Sequence, residues 1–151
     1  MLSTQSVLAV IVVLAGASTV AQTAMNAQLR ASLGHGLLGA GVNFLVGIVT
    51  LATLILVMRI PFPSVQMLAQ VPTWAWFGGV LGAFFVGALT FAGWELGAVM
   101  VVVLVVTGQL LASLVMDHFG WLGYPVRPIS FSRVLGSVLL VIALFLFTKG
   151  K

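Results

Sequence analysis

Cysteine is absent from the chain, which excludes disulfides, thiolate metal sites and thiol nucleophiles together and leaves the redox compartment unmarked. Charge is almost as scarce. Six Lys or Arg and two Asp or Glu make up 5% of 151 residues, against about 25% in soluble domains, too little to cover a water-facing surface. A soluble globular fold is thereby excluded. Disorder requires a low apolar content, and here 62% of residues are apolar; the 17 Gly follow no triplet period, so collagen is excluded as well. What remains is an integral membrane protein with the lipid bilayer as its solvent. The net charge of +4 comes from the shortage of acids, and six dispersed cations form no basic patch, so no nucleic-acid partner is expected.

A bilayer core about 30 Å thick needs roughly 20 mostly apolar residues per helical crossing. Five stretches meet that requirement, at about 6–29, 36–58, 74–93, 97–116 and 131–148. Arg30 and Arg59 close the first two, and Pro61, Pro63 and Pro72 break the chain before the third. Between Trp74 and Met116 the only charge is Glu95, and one helix of that length would extend about 64 Å. A turn is therefore expected at Gly93-Trp94-Glu95-Leu96-Gly97. Trp74, Trp76, Trp94, Trp121 and Tyr124 all fall at span ends, the level amphipathic rings prefer. Val7 to Leu14 has the length of a signal-peptide core, yet no Lys or Arg precedes it, so a cleaved leader is not expected. The fold class read from this pattern is an all-α integral membrane protein, residues 1–151 forming a single transmembrane domain of five helices.

An odd number of spans puts the termini on opposite sides and assigns every cation to a side. Arg59, Arg127 and Arg133 fall on the N-terminal side; Arg30, Lys149 and Lys151 fall on the other. Orientation follows the Lys and Arg bias of short loops, so this balance gives insertion almost no instruction. Dual topology is the expectation it supports, with copies inserting both ways and pairing antiparallel. Many secondary transporters consist of two inverted halves with the substrate site between them at mid-membrane, which an antiparallel pair of five-helix chains would recreate.

Polar residues inside the spans recur at helical spacing. Thr19, Gln22 or Thr23, Asn26 and Arg30 share one face of the first span; Gly39, Asn43 and Gly47 share a face of the second; Gln109, Ser113 and Asp117 share a face of the fourth. Taken singly, such groups are interhelical hydrogen-bond glue worth about 0.6 to 2 kcal/mol. Taken together they are placed for more. Gln22 and Asn43 lie about 6 to 8 Å from their span centres toward one side, and Gln109 about 4 Å toward the other. A twofold axis in the membrane plane would gather them, so the candidate substrate-binding residues are Gln22, Asn43 and Gln109, with Asn26 as an outer contact. Gly79, Ala83 and Gly87 form a small-xxx-small helix-packing face in the third span. The fifth span shows no polar group read as buried and suits lipid or a dimer interface.

Both acids sit near span ends, which favours interfacial roles; Glu95 and Asp117 are nonetheless the candidate coupling or gating residues, because charge in a membrane segment is costly. An ion pair of Asp117 with Arg127 or Arg133 would tether the 117–130 loop. His35 and His118 fall on opposite sides, so no metal site is expected within one chain, and no hydroxyl has a recognisable base or phosphate-binding glycine loop beside it. No enzyme and no cofactor are expected.

The segments QTAMNAQLR (22–30), NFLVGIVTLA (43–52), TWAWFGGVLGAFFV (73–86) and GQLLASLVMDHFGWLG (108–123), followed by RPIS, resemble the YdcZ-like inner-membrane proteins, five-helix members of the drug/metabolite transporter superfamily. The resemblance covers nearly the whole chain and is most specific in the GQ...DHFG stretch. It implies a multi-pass protein of the bacterial inner membrane that moves small molecules. The superfamily's ten-helix members look like two fused inverted five-helix halves. Its small multidrug members rely on a membrane-embedded Glu in the first helix, where this chain has Gln22 and Asn26, so the resemblance does not imply proton-coupled export of cations by that route. The reading is a secondary transporter for a small neutral, zwitterionic or anionic solute, working as an antiparallel homodimer. The alternative is a non-transporting membrane subunit, or one half of a heterodimer with a related five-helix chain.

Overall fold

In lipid every backbone N–H and C=O must be satisfied within the chain, and a run of apolar residues does so by coiling into helix. A computed structural model describes residues 3–149, without the side chains of Leu144, Thr148 and Lys149, and shows helix and turn with no strand among those residues. In chain order the helices are α1 (Thr4–Leu33), α2 (Gly36–Val57), the short α3 (Val65–Ala69), α4 (Gly78–Leu96), α5 (Ala98–Phe119) and α6 (Phe131–Lys149). A 3₁₀ turn at Thr73–Phe77 leads into α4, and another at Trp121–Gly123 follows α5. Four stretches are long and apolar enough to cross a bilayer: Thr4–Leu33, Gly36–Val57, Thr73–Leu96 and Ala98–Phe119. The apolar part of α6, Phe131–Phe147, is shorter than those four. Lys151, one of the six cations, lies outside the described residues, as does the side chain of Lys149.

Each helix end has a local cause. Ser3 caps α1 by accepting from the Ser6 N–H at 3.1 Å. At the other end α1 continues past Arg30 to Leu33, four residues beyond the expected boundary. Gly34 is the first residue to leave the helical region, at φ 77, and its N–H donates to the Arg30 carbonyl at 2.9 Å. His35 then caps α2 through Nδ1, which accepts from the Leu37 N–H at 3.2 Å. Two residues thus join two long helices. Helix α2 stops at Arg59, where φ is 53 and the Ile60 N–H reaches back to the Ile55 carbonyl at 3.0 Å, just before Pro61. The turn expected somewhere in Gly93–Gly97 falls at its last residue. Gly97 has φ 77, whereas Gly93 remains helical inside α4.

The chain divides into two compact units, Met1–Glu95 and Leu96–Lys151. In the first, α1 and α2 pack along each other. A Cβ on Gly39 would stand 3.0 Å from the Arg30 backbone nitrogen, 3.2 Å from Leu29 Cβ and 3.3 Å from the Asn26 carbonyl oxygen. The two backbones meet there, as small residues permit. Helix α4 packs on this pair, with Gly82 near the Phe44 ring, Gly87 near Leu37, and Gly93 so near Thr23 that a Cβ would lie 2.8 Å from its Cγ2. Of the small residues expected to form a packing face, Gly87 is buried, while Gly79 and Ala83 are exposed. In the second unit α5 packs with α6 and with the turn after α5. Val101, Thr107 and Ser137 are buried there.

Because the Arg30 backbone cannot move aside without breaking α1, Gly39→Ala is expected to destabilise the N-terminal unit by about 1–3 kcal/mol. Gly47, on the same face of α2 with open space around it, is the matched control. Thermal unfolding in detergent should separate the two, with Gly47→Ala unchanged or slightly stabilised.

Candidate functional site

Only the later part of the α1 polar stripe faces the other helices of its unit, and Thr19 at its start is exposed. Thr23 and Arg30 are partly buried and Asn26 is 2% exposed, while Gln22 is exposed. Of the two residues that could continue the stripe, Thr23 is the one that packs. Its hydroxyl is satisfied by the Thr19 carbonyl at 2.8 Å, and its methyl meets Gly93. Asn26 and Arg30, one turn apart, are not satisfied: Asn26 Oδ1 and Arg30 Nη1 are both buried without a hydrogen-bond partner. A buried polar atom left this way costs about 1–3 kcal/mol, more for a charged group. Such a pair is uncommon in a folded protein.

The aromatic contact at Arg30 comes from α4. Phe91 places its ring 5.2 Å from the Arg30 guanidinium carbon, a cation–π contact, and meets the His35 ring edge-on at 6.0 Å and 79°. Gly36 makes room for it, since a Cβ there would stand 2.8 Å from Phe91 Cζ. Neither acid neutralises Arg30. Glu95 is exposed and makes no ion pair among the described residues, and Asp117 is paired elsewhere. Phe91 and Gly36 were not singled out from the sequence, because nothing in an apolar run marks which ring will meet a cation.

The other amides stand apart from this corner in their burial. Asn43 is partly buried on α2, one turn past Gly39; Gln109 on α5 is exposed. Thr90 and Thr107 are buried hydroxyls that satisfy themselves on the preceding turn, at 2.8 Å to the Val86 carbonyl and 2.7 Å to the Val103 carbonyl. Ser137 on α6 does the same with the Arg133 carbonyl at 2.9 Å, a buried polar group in a span expected to have none. A recess lined by Leu96, Gly97, Ala98, Val99, Met100 and Phe147 offers no polar side chain to orient a solute.

Asp117 is tied at both its ends. Its carboxylate accepts from Arg133 Nη1 at 3.2 Å, and its backbone carbonyl accepts from the Arg127 N–H at 2.7 Å. The Arg133 guanidinium also approaches the Arg127 carbonyl at 3.5 Å, and the Ile129 N–H donates to His118 Nδ1 at 3.4 Å. Of the two arginines expected as partners, Arg133 forms the ion pair and Arg127 contributes backbone. Among the described residues no three His, Asp or Glu gather in a way that could hold a metal ion.

Apolar helices of spanning length, polar residues of α1 turned toward its neighbours and almost no charge within the spans define a multi-pass membrane protein. The profile of the family described as "Putative inner membrane exporter, YdcZ" matches residues 7–146, and the chain belongs to that family, a multi-pass inner-membrane protein of the drug/metabolite transporter type. It is 27% identical over 145 residues to the "Inner membrane protein YdcZ" of Escherichia coli (strain K12), covering 96% of this chain and 97% of that one. No solved structure matches it.

The Asp117–Arg133 pair is partly exposed, so removing it is expected to cost only about 0.2–1 kcal/mol. Its local effect should be larger than its global one. Asp117→Asn is expected to speed proteolytic cleavage within 121–130 several-fold while leaving the thermal midpoint nearly unchanged, as limited proteolysis beside an unfolding scan will show.

Proposed function

We propose that the chain is a secondary transporter for small solutes, a single transmembrane domain whose five crossings include α6, and that it works as an antiparallel homodimer. The family assignment over residues 7–146 carries the transporter reading, because that family is described as an exporter of the inner membrane. The same description speaks against an enzyme. Two readings of the sequence support the antiparallel pairing: five apolar stretches, α6 counted among them, and cations that such a count divides three and three between the two sides. Each chain is then one half of a ten-helix inverted-repeat transporter, with alternating access by rocking of the halves about a fixed site.

In this reading Gln22, Asn43 and Gln109 bind the solute as neutral hydrogen-bonding groups, with Asn26 as a further contact. Glu95 and Asp117 serve at the ends of the pathway in coupling or gating, Asp117 through its hold on Arg133 and the following loop. Gly79, Ala83 and Gly87 give α4 a smooth face, and the exposure of Gly79 and Ala83 leaves that face free for a neighbouring helix.

Purified protein in liposomes is expected to carry one or more members of a metabolite panel. Single Ala changes at Gln22, Asn43 or Gln109 should lower that flux about tenfold, equivalent to about 1.4 kcal/mol per lost hydrogen bond. Absence of flux, with those residues tolerating Ala in cells, would identify a non-transporting subunit instead. A reporter fused to the C-terminus should be detected on both sides of the membrane, and Lys residues added on one side should convert the mixture to one orientation. Detection on a single side from the start would rule out dual insertion and favour pairing with a related five-helix chain.

A further inference from the structure

The Asn26–Arg30 corner is more than a packing contact. A buried acceptor, Asn26 Oδ1, and a buried cationic donor, Arg30 Nη1, sit one helical turn apart without partners. Both atoms are sealed from a water-sized probe, so no second chain reaches them unless α1, α2 and α4 part. Nothing within the unit answers them. The charged and titratable groups nearest in the fold are His35, whose ring stands edge-on to Phe91 and whose Nδ1 is used on the Leu37 N–H, and Glu95, which is exposed one turn beyond Phe91.

The missing partner can be read from the two atoms. Arg30 asks for an oxyanion, since a guanidinium matches carboxylate and phosphate oxygens. Asn26 Oδ1 asks for a hydrogen-bond donor beside that oxyanion. We propose that this corner is an occluded binding site for a small monoanion carrying an O–H next to its charged group, of which an α-hydroxycarboxylate is the simplest form. Its carboxylate takes Arg30, and its hydroxyl donates to Asn26. Phe91 is the cover. It lies across the guanidinium yet is 39% exposed, so its ring sits at the rim, where it can swing outward without disturbing the Gly39 crossing. Gly36 leaves the space in which the ring closes. Closed, Phe91 lends Arg30 its π face; opened, it admits an anion to the same cation.

This inference rests on the transporter reading for its purpose but not for its test, which is binding. The full chain in phosphatidylcholine nanodiscs is titrated calorimetrically with lactate and with propionate, which lacks the hydroxyl. Lactate is expected to bind at least tenfold more tightly. Arg30→Gln should abolish binding of both while retaining the wild-type thermal midpoint, and Arg30→Lys should retain weakened binding. Asn26→Leu should erase the difference between the two acids, and Phe91→Ala should speed lactate association. Lactate and propionate binding equally, or neither binding, would overturn the proposal. Loss of lactate binding when phosphatidylglycerol is included in the nanodiscs would assign the site to a lipid headgroup and also overturn it. Lactate binding that depends on Arg30 in a protein with no flux would refute the transporter reading alone. Flux with no Arg30-dependent binding would refute this site alone.

Discussion

The N-terminal unit depends on the contact of two helix backbones at Gly39. With no side chain there, α2 lies against the backbone of α1 between Asn26 and Arg30, and that proximity decides what else can be near. It buries Asn26, leaving an amide in a place where no water competes for it. It also brings His35 and Gly36, the first residues after the connecting turn, to the level of Arg30, so that Phe91 from α4 closes on all three. A larger residue at position 39 would move α2 outward and open that corner. In a membrane, where apolar surfaces gain little from meeting one another, such close backbone contact is a main source of helix association.

The second unit is held by a different kind of contact. Here a charge pair does the tying: Asp117 at the end of α5 holds Arg133 at the start of α6, and the intervening loop folds back so that Arg127 reaches the Asp117 carbonyl. The anion stands at the C-terminal end of a helix, which its dipole disfavours, and the guanidinium offsets that cost. Gly120 at φ 64 and Val126 make the loop compact, since a Cβ on Gly120 would fall 2.7 Å from Val126 Cγ2. One acid is thus held in an ion pair, and the other stays exposed.

Much of this could be read in advance, and the places where it could not share a reason. A stripe at spacing three and four offers two candidates at each turn, Gln22 or Thr23, and only the angle at which α4 crosses selects Thr23, through Gly93. The pentapeptide Gly93–Gly97 offers two glycines for one turn, and the turn takes Gly97 because the Thr23 contact holds Gly93 in helix. A glycine face is ambiguous in the same way. Gly39 and Gly47 lie on one side of α2, yet only Gly39 meets another backbone, because packed helices touch over a limited length. For Asp117 both arginines were plausible partners, and the chain uses one side chain and the other backbone.

Composition alone settled that this protein lives in a bilayer, since eight charged residues cannot clothe 151 in water. Apolar run length and the breakers between runs settled its helices, because lipid leaves the backbone no other way to satisfy itself. Which polar groups end up enclosed was decided only by the tertiary structure. Periodicity places Asn26 and Arg30 on one face but says nothing of what that face meets, and it is the approach of Gly39 and the ring of Phe91 that leave their two atoms buried and without partners.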